Sequence, residues 1–146
     1  MSIRNDVPKK ILFLCTGNSA RSQMAEGLTR HLGKGAGGSI EALSAGLAPK
    51  GVHPLAVAVM DEVGIDIRGQ RSKEIGPSLL NQADWIITLC GNANARCPAS
   101  PSHIHREHWP IDDPAMDSGS REENLSVFRE KRDELKERIL QLLKKV

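Results

Sequence analysis

Cys15-Thr16-Gly17-Asn18-Ser19-Ala20-Arg21-Ser22 sets a thiol, then five residues, then an arginine and a hydroxyl. This spacing suits a tetrahedral oxyanion. Successive backbone N–H groups can curl around the anion, a following helix points its positive end at it, and Arg21 can chelate two of its oxygens. The same field favours a negatively charged sulfur at Cys15, which places a nucleophile beneath the ligand. Ser22 can donate a hydrogen bond to that sulfur. Gly17 permits the tight backbone, and Asn18 tolerates left-handed geometry and can brace the loop with its amide. Two further thiols, Cys90 and Cys97, bring the total to three. An odd set argues against a static disulfide framework and for reactive, redox or metal-binding roles. Cys90, Cys97, His103, His105 and His108 fall within nineteen residues, but six residues separate the two cysteines. Structural zinc uses closer pairs such as C-x2-C, so no metal is expected.

These groups need a strand before Cys15 and a helix after it. Ile11-Leu12-Phe13-Leu14 is an apolar run suited to a strand buried on both faces. Met24, Ala25, Leu28 and Leu32 recur at helical spacing and predict a helix over residues 20–32, stopped by Gly33. Residues 39–44 read as a second strand. Pro54 opens a helix whose stripe is Leu55, Val59 and Val63, with Gly64 as its stop. Residues 66–76 are loop-like, residues 77–82 a short helix, and residues 84–89 a buried strand that ends at Cys90 as the first ended at Cys15. Residues 92–105 have weak preferences, and a short strand is expected over 106–111. Ser120-Arg121-Glu122-Glu123 is a capping box that starts a last helix. Its buried stripe is Leu125, Phe128, Leu135, Ile139 and Leu142, and the charges between them read as a solvated face. Strands alternating with helices imply an α/β domain with a mostly parallel sheet, and ligands bind such sheets at the carboxyl ends of strands. Cys15 and Cys90 both fall there.

The chain has 146 residues, with 20 Lys+Arg against 18 Asp+Glu. One domain over 1–146 is expected, and at this size it needs neither disulfide staples nor a structural metal. The near-neutral charge gives no reason to expect nucleic acid or an anionic membrane as partner. Aromatics make up only 3%, with no Tyr, which disfavours base-stacking platforms. There is no apolar run of about 18 residues and no signal-peptide core at the start, so a cytoplasmic location is expected.

Cys15 to Ser22 resembles the C-x5-R-S loop of low molecular weight protein tyrosine phosphatases and of the thioredoxin-coupled arsenate reductases that share their fold. The resemblance implies a three-layer fold with a four-stranded, mostly parallel sheet in flavodoxin-like order. It also makes Thr16, Gly17, Asn18, Ser19, Ala20, Arg21 and Ser22 the substrate cradle. Asp112-Asp113-Pro114 resembles the Asp-Pro element whose second Asp, here Asp113, is the general acid. Alone, that dipeptide would be an ordinary turn signal.

A phosphatase needs only one reactive cysteine. Thr88-Leu89-Cys90-Gly91, Cys97-Pro98, Arg106-Glu107-His108-Trp109 and Asp112-Asp113-Pro114-Ala115 resemble the arsenate reductase branch. What this implies is a relay: Cys15 bonds arsenate, Cys90 takes up the oxidation as a Cys15/Cys90 disulfide, and Cys97 moves it to Cys90/Cys97. Arsenate is then the substrate and thioredoxin the reductant, although related enzymes can end on glutathione and glutaredoxin. No cofactor and a monomer are expected. If the segment between Cys90 and Cys97 is helical when reduced, they lie about 10 Å apart along its axis. A disulfide needs Cα atoms within about 7 Å, so the segment must unwind. A phosphatase using Cys15, Arg21 and Asp113 is the enzymatic alternative, and a thiol-based redox sensor or anion-binding protein the non-enzymatic one.

Ala20 stands where many relatives carry another Cys. In relatives that bind potassium near the cradle, Asn18, Glu26 and Ser44 match ligand positions, but Lys73 stands where an Asp is expected. Its ammonium could replace the cation by bonding Asn18 and Glu26. His53 and His31 read as ordinary polar positions.

Overall fold

The computed structural model describes residues 9–33, 40–96, 103–115 and 119–146. Among these residues four strands, β1 (Lys9–Cys15), β2 (Ile40–Gly46), β3 (Trp85–Thr88) and β4 (His105–His108), form one sheet in the order β2-β1-β3-β4. Every neighbouring pair is parallel, with Cys15 opposite Gly46 and Leu14 opposite Thr88. Among the described residues five helices accompany them: α1 (Arg21–Gly33), α2 (Pro54–Asp61), α3 (Pro77–Gln82), α4 (Gly91–Arg96) and α5 (Arg121–Leu143).

The apolar run of β1 serves both faces of the sheet. Ile11, Phe13 and Cys15 join one core with Met24, Ala25 and Leu28 of α1, Val59 and Met60 of α2, and Phe128, Leu135 and Ile139 of α5. Leu12 and Leu14 turn the other way, to Leu80, Ala83, Ile86, Ala93 and Ile104 under α3 and α4. Three layers result. Burying each such Leu, Ile or Phe stabilises the fold by about 1.5–3 kcal/mol, so the sheet is held from both sides.

The chain steps from β1 outward to β2, then returns past β1 to β3. The direction of winding therefore reverses between β1 and β3, and a crevice opens at their carboxyl ends. Cys15 closes β1 there, and Cys90 follows β3 by two residues.

Several sequence expectations are sharpened. The sheet is wholly parallel. The helix begun by Pro54 stops at Asp61 rather than reaching Val63, because residues 62–64 turn and Gly64 takes a φ of +79°. β4 runs from His105 to His108, and beyond it the Trp109 and Ile111 N–H groups still donate to the Thr88 and Leu89 carbonyls, at 2.8 and 3.1 Å. Among residues 92–105, Gly91–Arg96 folds as α4 despite its weak propensity. Two anchors outweigh propensity there: Ala93 is fully buried, and its N–H donates to Cys90 Sγ at 3.4 Å. The capping box at Ser120 is present in both its bonds. One charge of α5 departs from the solvated face. Arg132 is buried and donates to the Val59 carbonyl at 2.8 Å and to Glu62 at 3.0 Å, fastening α5 to α2. Residues 34–39, which include the predicted start of the second strand, lie outside the described residues.

Candidate active site

The loop from Cys15 to Arg21 turns its carbonyls outward. The Cys15, Thr16, Gly17 and Ser19 carbonyls accept from the N–H groups of Leu47, Ala48, Lys50 and His53, at 2.8–3.2 Å. The Asn18 carbonyl accepts from Ser72 Oγ at 2.8 Å and Gln23 Nε2 at 3.0 Å. With each carbonyl held by a donor from a neighbouring segment, the N–H edge of the peptides is left free. Among the described residues, the N–H groups of Thr16 to Ser22 donate to no protein acceptor. They form, with the N-terminus of α1, a concave set of donors for an anion.

Asn18 is the pivot. Its φ of 43° is the one positive value among described non-glycine residues, and the side chain is fully buried. Its Oδ1 accepts from the Lys73 N–H at 2.6 Å, and its Nδ2 donates to Ser22 Oγ at 2.8 Å. Because the Ser22 oxygen is accepting, its proton is free for Cys15 Sγ, 2.9 Å away. Asn18 thus orients the hydroxyl that meets the sulfur. Cys15 itself is 2% exposed.

Gly46 lies behind this turn. A β-carbon there would come within 2.7 Å of Asn18 N and Thr16 O. Gly46→Ala is therefore expected to destabilise the fold by about 1–3 kcal/mol, the usual range for an overpacked site, measured by urea unfolding.

Arg21 is nearly buried and donates to the Ile111 carbonyl at 2.9 Å. Its other terminal nitrogen stands 3.8 Å from Asp113 Oδ2. Asp113 is about half exposed, and its Oδ1 accepts from the Ala115 N–H at 2.9 Å, the turn that Asp113-Pro114 favours. Arginine and carboxylate therefore meet at the cradle from opposite ends of the chain.

Cys90 is the second thiol at the crevice. Its sulfur lies 3.2 Å from Thr16 Oγ1, inside the cradle sequence, and it packs against both cores. The Ala93 N–H donates to it at 3.4 Å, and the Thr16 hydroxyl can donate to it as well. Both Cys15 and Cys90 are free thiols. Cys97 lies outside the described residues. The site residues Cys15, Thr16, Asn18, Arg21, Ser22, Cys90 and Asp113 are thus brought together, while Gly17, Ser19 and Ala20 complete the loop. Among the described residues no three His, Cys, Asp or Glu side chains could hold a metal.

The potassium positions are already engaged. Glu26 is buried and accepts from Ser44 Oγ and Arg30, each at 2.6 Å, with Lys73 Nζ 3.8 Å away. The Lys73 contribution differs in detail from expectation. Its main-chain N–H, not its ammonium, bonds Asn18, and the ammonium donates to the Arg71 carbonyl at 2.8 Å. A positive charge beside Glu26 does not fit a bound cation. Potassium chloride is therefore expected to act no differently from sodium chloride at equal ionic strength, checked by steady-state rates. Strong activation by potassium would contradict it.

Sequence reasoning missed the donors that shape the loop. Ser72 and residues 47–53 carry no local signature of this task. His53 is more than an ordinary polar position. It precedes Pro54, the N1 residue of α2, and its Nδ1 accepts from the Leu55 N–H at 3.0 Å, a capping role that an acceptor before proline could have suggested. Its ring packs on Phe128, 4.8 Å between centroids. Burial pushes His53 below its ordinary pKa, opposed by the Asp113 carboxylate.

A thiol under a turn of free backbone N–H groups, an arginine beside it and the carboxylate of an Asp-Pro turn come together at the switch point of a parallel sheet, the arrangement of a phosphatase-like fold. Residues 10–146 match the family model for low molecular weight phosphotyrosine protein phosphatase, and the chain belongs to that family. Among curated relatives it is 51% identical over 131 residues to the arsenate reductase of Shouchella clausii, covering 90% of this chain and 92% of that protein. A solved arsenate reductase in its phosphate-binding state is 40% identical, with TM-score 0.76 over 94% of this chain and 98% of that one. The thioredoxin-dependent arsenate reductase of Corynebacterium glutamicum is 29% identical, with TM-score 0.74 over 94% of this chain and 61% of that one.

Proposed function

We infer that the chain is an arsenate reductase of the thioredoxin-coupled type, with residues 1–146 acting as one domain. The observation that carries this reading is the second thiol at the cradle, Cys90 Sγ at 3.2 Å from Thr16 Oγ1. A phosphatase has no use for it, because water can discharge a phosphoenzyme.

In the proposed reaction arsenate occupies the N–H groups of the cradle, with Arg21 on two of its oxygens. The Cys15 thiolate attacks arsenic, an arsenic–oxygen bond breaks, and Asp113 supplies the proton to the departing oxygen. The Cys90 thiolate then attacks Cys15 Sγ. A sulfur–sulfur bond forms, the sulfur–arsenic bond breaks, and its electron pair stays on arsenic, which leaves as arsenite. Cys97 attacks Cys90 Sγ in turn and frees Cys15. The dithiol of thioredoxin reduces the Cys90/Cys97 pair and resets the enzyme. Phosphorus cannot accept that electron pair in this way, which is the chemical reason for the two additional thiols. The helix between Cys90 and Cys97 must open for them to bond. Its small buried anchor and its asparagines and glycine support such opening.

The test is arsenite release from arsenate in the presence of thioredoxin, thioredoxin reductase and NADPH. Catalytic arsenite formation, with one NADPH consumed per arsenite, is expected. No arsenite but brisk hydrolysis of an aryl phosphate would establish the phosphatase reading instead. Neither activity, with oxidation of the thiols still detected, would favour a sensor.

A further inference from the structure

The loop joining β2 to α2, residues 47–53, follows the cradle peptide by peptide. Leu47, Ala48, Lys50 and His53 give their N–H groups in turn to the carbonyls of Cys15, Thr16, Gly17 and Ser19. This ladder fixes where its side chains stand relative to the anion-binding turn. Lys50 carries its one permanent charge. The Lys50 stem rests on Gly17, with Cδ 3.4 Å and Cγ 3.6 Å from the point a β-carbon on Gly17 would occupy. The residue is exposed, and among the described residues its ammonium meets no carboxylate. The neighbouring cations are committed: Arg21 to the Ile111 carbonyl and Asp113, Lys73 to the Arg71 carbonyl and Glu26.

We propose that Lys50 is a substrate-positioning residue whose uncommitted ammonium, carried on Gly17 at the rim of the cradle, captures and favours multiply charged inorganic oxyanions. The inference rests on the oxyanion reading of the site. A dianion gains twice the Coulomb energy of a monoanion from the same cation, so hydrogen arsenate and hydrogen phosphate are drawn in more strongly than singly charged anions. Lys50 is exposed and takes no part in making or breaking bonds. Its effect therefore falls on capture, kcat/KM and binding, rather than on kcat, and it fades as salt shortens the Debye length.

Lys50→Met keeps the stem and removes the charge, whereas Lys50→Glu reverses it. The probe is inorganic phosphate, titrated calorimetrically into the reduced protein at low and at high ionic strength, with arsenate turnover measured in parallel. The methionine variant is expected to bind phosphate about 3- to 10-fold more weakly at low salt, the glutamate variant more weakly still, and both to approach the parent at high salt. KM for arsenate should rise in step while kcat and the melting midpoint hold. Unchanged phosphate affinity in Lys50→Glu at low salt would overturn the proposal. A loss equally large at high salt would also overturn it, assigning the effect to packing on Gly17. If the parent protein binds no phosphate at either ionic strength, the oxyanion reading itself falls, a result distinguishable from failure at Lys50 alone.

Discussion

Cys90→Ser is expected to lower arsenite release by at least about 10³-fold, the scale on which losing one member of a coupled catalytic set is felt, while sparing phosphate binding. Serine can keep the contact with Thr16 Oγ1 that Cys90 makes at 3.2 Å. Its oxygen cannot, however, accept the oxidation as a disulfide, so arsenic stays bound to Cys15 as arsenic(V). Binding of phosphate depends on the loop carbonyls being held by residues 47–53 and Ser72, whereas the hydrogen bonds of Cys90 go to Thr16 and Ala93. The result is therefore a protein that binds the oxyanion and cannot reduce it. Cys97→Ser should differ in kind: one arsenite per enzyme, then a stall with Cys15/Cys90 oxidised or in a mixed disulfide. The two are separated by counting arsenite against enzyme in single and multiple turnover. Sustained multiple turnover by either variant would refute the relay.

Arg21→Lys is the second large effect. The arginine stands at the mouth of α1 with one nitrogen on the Ile111 carbonyl and another facing Asp113. Its planar fork can span two oxygens of a tetrahedral anion while staying in that frame. Lysine brings a single point charge on a longer flexible stem, so it retains attraction and loses the chelate. A fall in kcat/KM of about 10²–10³ is expected, as for removal of a preorganised donor at a developing charge. The Ile111 carbonyl also loses its partner, at a cost of about 1–3 kcal/mol in stability, so unfolding in urea should be followed alongside. A lysine variant within a few-fold of the parent would show that the charge alone suffices.

The cradle was legible because it is contiguous. Cys15, Asn18, Arg21 and Ser22 lie within one turn and the start of one helix, so spacing alone predicts the anion site. The continuous apolar run of β1 was equally local, and the capping box at Ser120 starts α5 where expected. Asp113 was legible only through resemblance. Nothing nearby distinguishes it from a turn until Arg21, ninety-two residues earlier, stands 3.8 Å away. Long-range pairing also hid the rest. The donors that hold the cradle carbonyls come from residues 47–53 and Ser72, whose own sequence asks only for a loop. Arg132 looked like one more solvated charge, yet the Val59 carbonyl and Glu62 make its burial possible. Propensity misread residues 91–96, where a buried alanine and a sulfur cap outweigh glycine and asparagine.

The size of that alanine has an electrochemical consequence. In the proposed relay, opening α4 accompanies formation of the Cys90/Cys97 disulfide, so the free energy of opening adds to that of oxidation. For a two-electron couple about 1.4 kcal/mol corresponds to about 30 mV. An anchor of leucine or phenylalanine size, in a core shaped to hold it, would secure such a helix by roughly 1.5–3 kcal/mol and shift the couple by tens of millivolts toward a more oxidising disulfide, whereas Ala93 buries a single methyl group. With only a methyl group in the core, the segment adds little to the potential. The poise of the proposed couple is then left mainly to the two thiols.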